Sequence, residues 1–345
     1  MRKNLNLLFI LIGLTIVSGV VWYFYGEDSS TLSKNPLANF AIEDTATVTK
    51  IFITDANGQR VLLERDENSR YWDLNGKYKA RKDAVDLLLK TFKRIKVKSP
   101  VPSTAKENML KLMQTGKSVE IYTGGDQPAK TYIVGTPTSD HTGTYMVLET
   151  PEEGRSSEPF ITHMEGFTGF LSTRFFTDEE EWRYTGIFDY PNLEDIQKVE
   201  VIHHNEENRS FDIHFNGDSD LVLHSRLLDI DIPQFDTLAV KDYFIRYKKV
   251  HLETYQSHMT PEAEDSLLNS QAAFTLRVLE RSGKTKKIDV YYKPALVQQV
   301  IDDSGEIYPY DTARMYGVVN GDDVVLIQTY VFDPLLVGLE SFIVK

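Results

Sequence analysis

A run of nineteen uncharged residues near the N-terminus, residues 7–25, constrains this chain more than any other feature of its sequence. At about 1.5 Å of rise per residue, a helix of that length covers nearly all of the ~30 Å hydrocarbon core of a bilayer. Arg2 and Lys3 precede the run and acidic residues follow it, a pattern that favours an N-terminus on the cytoplasmic side. We therefore expect residues 1–26 to be a membrane anchor with a short cytoplasmic N-terminus, crossing the membrane through residues 5–25.

A cleaved secretory signal is the alternative for this segment. Such signals have a shorter apolar stretch, of about 7–15 residues, that ends at a small-residue cleavage site. Here the apolar run ends in the aromatic residues 22–25, which suit the interface of a bilayer. The anchor is favoured, and whether the segment is cleaved stays open. In both cases the rest of the chain is expected outside the cytosol. This predicts a single-pass inner-membrane protein with its soluble part in the periplasm.

The composition of the remaining chain excludes several classes of function. The 345 residues include no cysteine, which removes disulfides, thiolate metal sites, cysteine nucleophiles and a lipid-modified N-terminal cysteine. A hydrophobic share of 41% is that of a folded chain, and the length suits two domains. The net charge of −13 argues against nucleic acid as a partner, because binding phosphate needs basic surfaces. Residues 27–43, with several serines and asparagines, are predicted to be a tether.

Two halves of the chain repeat one pattern at a spacing of about 150 residues. The stretches that begin at Lys50 and at Lys198 each predict a hairpin of alternating residues, followed by a third short strand. A helix is predicted next in each half, because apolar residues recur at the same steps from Ala84 and from Ala239. A second hairpin, a short apolar strand and a closing helix complete each half.

We interpret this pattern as an internal duplication, against the alternative that helices and strands resemble each other by chance. The predicted fold class is α+β: an N-terminal transmembrane helix followed by two similar lobes of antiparallel hairpin-built sheet with packed helices. The first α+β repeat is predicted over residues 44–193 and the second over residues 194–345. Their closing helices are predicted over residues 167–176 and 332–343.

The histidines are the first candidates for a functional site. None of the eight forms a helical H-x-x-x-H pair or a zinc-protease motif. His203 and His204 are neighbours on a predicted strand, so their side chains point to opposite faces. His214, on the paired strand, is expected about 13 Å away along the strand. We therefore expect the histidines to be structural, and we predict neither a metal site nor a cofactor.

The acidic residues also have structural interpretations. Thr177 followed by Glu180 predicts a helix-capping box rather than a pair of catalytic carboxylates. Asp229 and Asp231 have the opening spacing of a calcium loop, but the glycine and closing glutamate of such a loop are missing from the sequence. The sequence also contains neither a nucleophile-elbow motif nor a phosphate-binding loop. We therefore predict no catalytic residue and no enzymatic activity.

Aromatic side chains and sheet edges remain as candidate binding surfaces. Aromatic rings could line a glycan or peptide groove, although such rings are more often buried in a core. The open edges of hairpin-built sheets are the more physical candidate, because their unpaired backbone groups accept a strand from a partner. The aromatic candidates are Trp72, Tyr78, Tyr132, Tyr145, Trp182 and Tyr184.

Four stretches carry a family resemblance: WDLNGKYKARKDAVDLLLKTFKRIKVKSPVP at residues 72–102, and later GTYMVLE, PFITHMEGFTGFL and RFFTDEEEWR. In these stretches the chain resembles the uncharacterised bacterial domain-of-unknown-function 4340 family, over most of residues 44–293. The resemblance implies a membrane-anchored periplasmic protein of the Bacteroidetes type with a duplicated, strand-rich domain. It brings no catalytic residues with it.

Two hypotheses of function follow. The first is a non-enzymatic, inner-membrane-anchored periplasmic module that binds or scaffolds a protein partner, such as a transport or envelope complex. The alternative is an envelope hydrolase or a glycan-binding protein whose groups converge only in the folded chain. A deep pocket with titratable groups in hydrogen-bond contact would favour the alternative. A smooth surface with an open sheet edge would favour the first.

Overall fold

The structure, a computed structural model, describes residues 12–20, 35–216, 220–300 and 307–344. It corrects the predicted N-terminal transmembrane helix and single-pass anchor, because no helix in these ranges is both long enough and apolar enough to cross a bilayer. Residues 12–20 are helical. The rest of the predicted span, residues 5–11 and 21–25, lies outside the described ranges.

The chain divides into two compact units, residues 1–184 and residues 185–345. The predicted change of repeat, after residue 193, lies slightly later in the chain than this division. Each unit has its own hydrophobic core. Tyr132 and Trp182 are among the largest fully buried side chains of the first unit, and Phe211 and Tyr243 are among those of the second.

The predicted tether ends inside the first unit. Of residues 27–43, those before residue 35 lie outside the described ranges, while Phe40 and Ile42 are buried in the core. The hydroxyl of Tyr132 donates a hydrogen bond to the carbonyl oxygen of Phe40. Lys130 Nζ donates to the carbonyl oxygen of Ala41 at 2.7 Å. These contacts make the end of the predicted tether part of the globule.

The first unit is built on one antiparallel sheet. Its strands in chain order are β1 (Lys50–Thr54), β2 (Arg60–Arg65), β3 (Trp72–Leu74), β4 (Tyr78–Lys79), β5 (Ile95–Pro100), β6 (Lys117–Tyr122), β7 (Lys130–Pro137), β8 (Thr144–Thr150), β9 (Gly154–Arg155) and β10 (Phe160–Met164). Across the sheet they run β4–β3–β2–β1–β6–β7–β8–β10–β5, with β9 paired to β8. Alternate residues are buried along β1, where Ile51 and Ile53 face the core.

Two helices of the first unit connect these strands: α1 (Lys82–Arg94) and α2 (Ser103–Leu112). The helical spacing of its apolar residues lets α1 bury Val85, Leu88 and Phe92. The predicted closing helix, residues 167–176, is wrong, because the only helical part there is a single 3-10 turn, Ser172–Arg174.

The second unit also has one main antiparallel sheet. The strands in chain order are β11 (Gly186–Phe188), β12 (Ile196–His203), β13 (Phe211–Asn216), β14 (Asp220–Ser225), β15 (Ile230–Asp231), β16 (Val250–His251), β17 (Thr254–Tyr255), β18 (Phe274–Glu280), β19 (Thr285–Val300), β20 (Ile307–Val319) and β21 (Asp323–Gln328). The main sheet runs β15–β14–β13–β12–β18–β19–β20–β21–β17, and β11 pairs separately with β16.

The helices of the second unit are α3 (Thr237–Ile245), α4 (Pro261–Leu268) and α5 (Thr329–Phe332). Asp236 caps α3 by accepting hydrogen bonds from the backbone nitrogens of Leu238 and Ala239. The predicted closing helix, residues 332–343, is wrong in extent. In that range only Phe332, the last residue of α5, and a separate 3-10 turn, Leu339–Phe342, are helical.

The two sheets follow the same strand order. Reading outward from β1 and from β12, each strand of the first sheet except β9 has a counterpart at the same place in the second. The registers correspond too: Lys50 pairs with Glu64 across β1 and β2, and Lys198 pairs with His214 across β12 and β13. A common order and register are what an internal duplication would produce.

Candidate functional site

One end of the second sheet gathers the features that depart most from this common plan. Because neighbouring strands are antiparallel, β12, β14, β19 and β21 all finish at this end, which we call the upper end of the second sheet. A cleft, a row of aromatic rings and a long hairpin lie here. The candidate site is built from these three parts.

The cleft has a volume of about 590 Å³. Its apolar surface comes from Phe274 at the start of β18, Tyr292 and Met315 on the paired strands β19 and β20, and Leu336 and Val337 after α5. Clefts of ~300–1,000 Å³ that combine apolar walls with a few polar groups are typical binding sites. The volume and lining therefore suit a side chain or a short segment of a partner.

A row of four rings runs from the interior of the second unit out along this cleft. The buried ring of His203 contacts Phe274 edge-on, with centroids 5.2 Å apart. Phe274 contacts Tyr292 edge-on at 5.9 Å, and Tyr292 stacks on Tyr310 at 4.9 Å. The side chain of Tyr292 is 36% exposed, so the row leads from the core to the surface. Such aromatic contacts fix ring positions.

The long hairpin is formed by β19 and β20 beyond the pair Tyr292–Met315, and we call residues 293–300 with 307–314 the arm. Two register shifts shape it. At the first shift, residues 311–314 of β20 lie opposite the single residue Lys293 of β19. At the second shift, residues 295–298 of β19 lie opposite a single residue of β20. Bulges of this kind bend a hairpin and turn side chains outward. Leu296, in the second bulge, is 93% exposed.

Polar contacts brace the base of the arm. Lys293 Nζ lies 2.8 Å from Asp311 Oδ2, and the hydrogen bond from Lys293 holds the pKa of this carboxyl below its usual value. Asp311 Oδ1 accepts hydrogen bonds from the backbone nitrogens of Ala313 and Arg314, which closes the first bulge. The guanidinium of Arg314 makes a two-pronged contact with Glu253 at 2.9–3.0 Å. The base of the arm is therefore held in one geometry.

The charges that line the cleft are paired, with one exception. Arg209 contacts Glu206 at 2.8 Å and Glu340 at 2.9 Å, and Asp311 is held by Lys293. Asp333, which follows α5, has no ion pair and no side-chain hydrogen bond with any other described residue, and the partial burial of its carboxyl group raises its pKa. The cleft thus offers an unpaired carboxyl group.

Two residues next to the cleft, His203 and Thr329, have buried polar side-chain atoms. His203 Nε2 lies 3.1 Å from the carbonyl oxygen of Val337, and burial lowers the pKa of the imidazole. Within the described ranges, the buried Thr329 Oγ1 has no hydrogen-bond partner. A buried hydroxyl without a partner is uncommon, because its desolvation is not compensated.

The first unit has a cleft at the equivalent end of its sheet, but of different character. The cleft there is about 360 Å³ and is lined by Lys117, Thr136 and several other hydroxyl-bearing residues. By strand register, Lys117 stands where the second unit has Phe274, and Thr136 stands where it has Tyr292. The ring row is therefore a property of the second unit and not of the common fold.

In the structure, the histidine and acidic candidates make separate contacts and do not form one site. His204 Nε2 lies 2.9 Å from Thr275 Oγ1, which is remote in sequence. Asp229 and Asp231, considered above as a calcium pair, both contact His224, at 3.3 and 2.8 Å. The described residues include no group of three or more histidine, aspartate or glutamate side chains able to hold a metal ion.

The predicted capping box is wrong, because residues 177–183 form a turn and an isolated bridge rather than a helix. The hydroxyl of Thr177 donates instead to Asp55 Oδ2 at 2.9 Å. Asp178 Oδ1 accepts from the backbone nitrogen of Glu180 at 3.0 Å, which closes the turn. Thr177 therefore ties this loop to the first β-hairpin.

The aromatic candidates named from the sequence do not come together as a groove. Tyr132 and Trp182 are fully buried in the first core, and Trp72 and Tyr78 pack against it. Arg65 stacks over Trp72 at 4.8 Å from the ring centre. The remaining two, Tyr145 and Tyr184, are partly exposed. The structure places the surface ring row in the other unit.

The sheet edges are poor candidates for strand addition. The outer strands β4, β15 and β17 have two residues each, which leaves little backbone to pair. The longer edge strand β5 exposes Lys96 and Lys98 and ends at Pro100. Short edges, edge lysines and proline are the devices that discourage pairing with another chain. The hypothesis of an added partner strand is therefore not favoured by these edges.

Comparison with known proteins adds no identification: no protein-family model, curated protein or solved structure matches this chain. The resemblance to the domain-of-unknown-function 4340 family stays a prediction that rests on the four quoted stretches.

The arrangement at the upper end suits recognition of a partner. It offers exposed apolar surface on a braced arm, ring edges and an unpaired carboxyl group, and such groups bind by contact. The sequence does not reveal the site because the residues that line its cleft come from five separate segments. The available signal was the continuation of apolar residues past Tyr292, at Leu296 and Val300, where the first half already turns.

Proposed function

We propose that this protein is a non-enzymatic module that binds a protein partner through the arm and the cleft of the second unit. The observation that carries the proposal is the length of the arm. β19 and β20 have 16 and 13 residues, whereas their counterparts β7 and β8 have 8 and 7. Since the first sheet has the same strand order without an arm, the fold does not require one.

The chemistry of the arm supports contact with another protein. Leu296 is 93% exposed at the second bulge of the arm, and the outer rings of the row, Tyr292 and Tyr310, stack at the base of the arm. Apolar and aromatic groups grouped at an exposed position are characteristic of protein-binding sites. The braces at Asp311 and Arg314 keep the base of the arm ordered before binding, which lowers the entropic cost of association. The proposal does not include membrane attachment.

The alternative, an envelope hydrolase or glycan-binding protein, has less support at this site. Lys293 and Asp311 are titratable and in hydrogen-bond contact, but both are engaged in bracing the arm. Tyr292 and Tyr310 stack on each other at an interplanar angle of 24°, so each covers one face of the other. Flat rings that bind sugars keep those faces open to stacking.

The test exchanges the arm for the short loop of the first unit. Pro137 pairs with Thr144 as Pro294 pairs with Tyr310, so residues 295–309 can be replaced by a copy of residues 138–143. Wild-type protein, this loop variant and a Leu112→Ala control in the first unit are purified by affinity from cells that produce the protein naturally. Circular dichroism and urea denaturation verify that each variant is folded.

We expect specific partners to be recovered with the wild type and with Leu112→Ala, and to be lost with the loop variant. Recovery of the same partners with a folded loop variant would refute the arm as the binding element. Turnover of a glycan or peptide substrate by the purified protein, lost on Asp311→Asn, would favour the alternative.

A further inference from the structure

We propose that the partner inserts a basic side chain, lysine or arginine, into the cleft of the second unit and pairs its charged group with Asp333. This inference rests on the proposed function, because it names the chemistry that the partner presents at the same site. It specifies a charge contact with Asp333 and packing of the aliphatic stem of the basic side chain against the apolar walls of the cleft.

Charge complementarity carries the first step. Arg209, Lys293 and Asp311 are each satisfied by partners within the unit. Asp333 is the cleft carboxyl for which the described residues supply no cation. An incoming cation would complete the charge balance of the cleft, whereas an incoming carboxylate would meet an unpaired like charge.

The shape and surface of the cleft carry the second step. Lysine and arginine have long aliphatic stems that pack along apolar walls while the charged head stays near the surface. Met315 and Leu336 supply such walls, and Asp333 is exposed at the surface. The rings of Phe274 and Tyr292 add aromatic surface that attracts cations. A short acidic or purely apolar group would use only part of this lining.

Thr329 provides a third, independent observation. Its hydroxyl oxygen is buried beside the cleft and has no partner in the described ranges. The backbone nitrogen of Asp333 donates to the carbonyl oxygen of Thr329 at 2.8 Å, so the two residues belong to one turn. A basic head group carries several N–H donors, which can serve both the carboxylate and a neighbouring hydroxyl after a small local movement.

The test uses two peptides that differ only in the charged group: acetyl-Leu-Lys-Leu-amide, and the same peptide with norleucine in place of lysine. Binding to the full chain is followed by backbone NMR shifts of residues around the cleft. We expect the lysine peptide to bind about tenfold more tightly or better, because a charge-assisted hydrogen bond contributes about that much. Asp333→Asn should remove this preference, and the control Asp322→Asn, in the turn at the opposite end of the sheet, should retain it.

A second readout separates direct pairing from a structural effect. The carboxyl pKa of Asp333, followed by its side-chain carbon shift, should fall when the lysine peptide binds and stay unchanged with the norleucine peptide, because a nearby cation favours the ionised form. Equal binding of the two peptides, no binding of either, or an unchanged preference in Asp333→Asn would overturn the inference.

The outcome is distinguishable from failure of the proposed function. If natural partners depend on the arm but are recovered equally with Asp333→Asn, the function stands and the basic contact is wrong. If the loop variant retains the partners, the proposed function itself fails.

Discussion

The ring of Tyr292 stacks on the ring of Tyr310 across the base of the arm, with centroids 4.9 Å apart and planes inclined by 24°. This contact lies beside the first register shift of the hairpin, where Asp311 closes the bulge. Because backbone pairing is interrupted there, side-chain contacts contribute more to the stability of the arm. The stack is therefore the first contact to test.

We predict that Tyr310→Ala loosens the arm without unfolding the sheet. An aromatic pair contributes about 0.5–1.5 kcal/mol beyond its buried area, which corresponds to roughly 2- to 12-fold faster local opening. Amide hydrogen exchange should accelerate in the arm and stay unchanged in β12 and β13. Tyr310→Phe, which keeps the ring, is the control. Unchanged exchange in the arm of Tyr310→Ala would show that the stack has no holding role.

We predict that two apolar truncations in the second unit differ strongly in their effect on stability. Phe211 is fully buried and contacts the rings of Tyr243 and Phe342, so Phe211→Ala should cost about 3–5 kcal/mol in the free energy of unfolding. Leu296→Ala should change it by less than about 0.5 kcal/mol, because that side chain is exposed. Urea denaturation measures both. A large loss for Leu296→Ala would mean that the arm packs within the unit.

We predict a close-packing requirement at Gly317 on β20. A Cβ atom there would lie 2.6 Å from Ile288 Cδ1 and 3.1 Å from Val325 Cγ2, so Gly317→Ala should destabilise by about 1–3 kcal/mol. Ile288→Val removes the nearest of these atoms. In that background the same glycine substitution should cost less, which a double-mutant cycle by urea denaturation detects. If the two changes in unfolding free energy simply add, the cost of Gly317→Ala does not come from contact with Ile288.

We predict that His203 makes stability depend on pH. Burial lowers its pKa below the ordinary value of 6.5, so the unfolded chain binds this proton at higher pH than the folded chain does. The stabilisation from neutral His203 is therefore complete above about pH 6.5, and it is lost as pH falls toward the lowered folded-state value. Between pH 8 and pH 5, wild type should lose more unfolding free energy than His203→Gln. Parallel pH profiles would contradict this.

The sequence predicts those parts of the fold whose signals are local. Alternating apolar residues and turn residues locate the hairpins, as at Asn75 and Gly76, whose positive φ angles of 56° and 67° the turn requires. The apolar spacing from Ala84 locates α1 because one face of that helix is buried. Both signals reflect burial of one face of a single element, which a short window of sequence records.

The parts that the sequence does not predict depend on distant partners. α2 and α4 bury no residue fully, so they leave no apolar stripe to detect. Thr177 matches a capping box in sequence, but its hydroxyl is taken by Asp55, more than a hundred residues away. The candidate site is of the same kind, since His203, Phe274 and Tyr292 become neighbours only through strand pairing.

Site-specific photo-cross-linking at position 296 tests the central claim most directly. A photoreactive amino acid is placed there in the full chain, and separately at position 112, where Leu112 is also exposed, at 48% against 93% for Leu296. In cells that produce the protein naturally, we predict a distinct protein adduct from position 296 and none from position 112. No adduct from position 296, or the same adducts from both positions, would contradict the account.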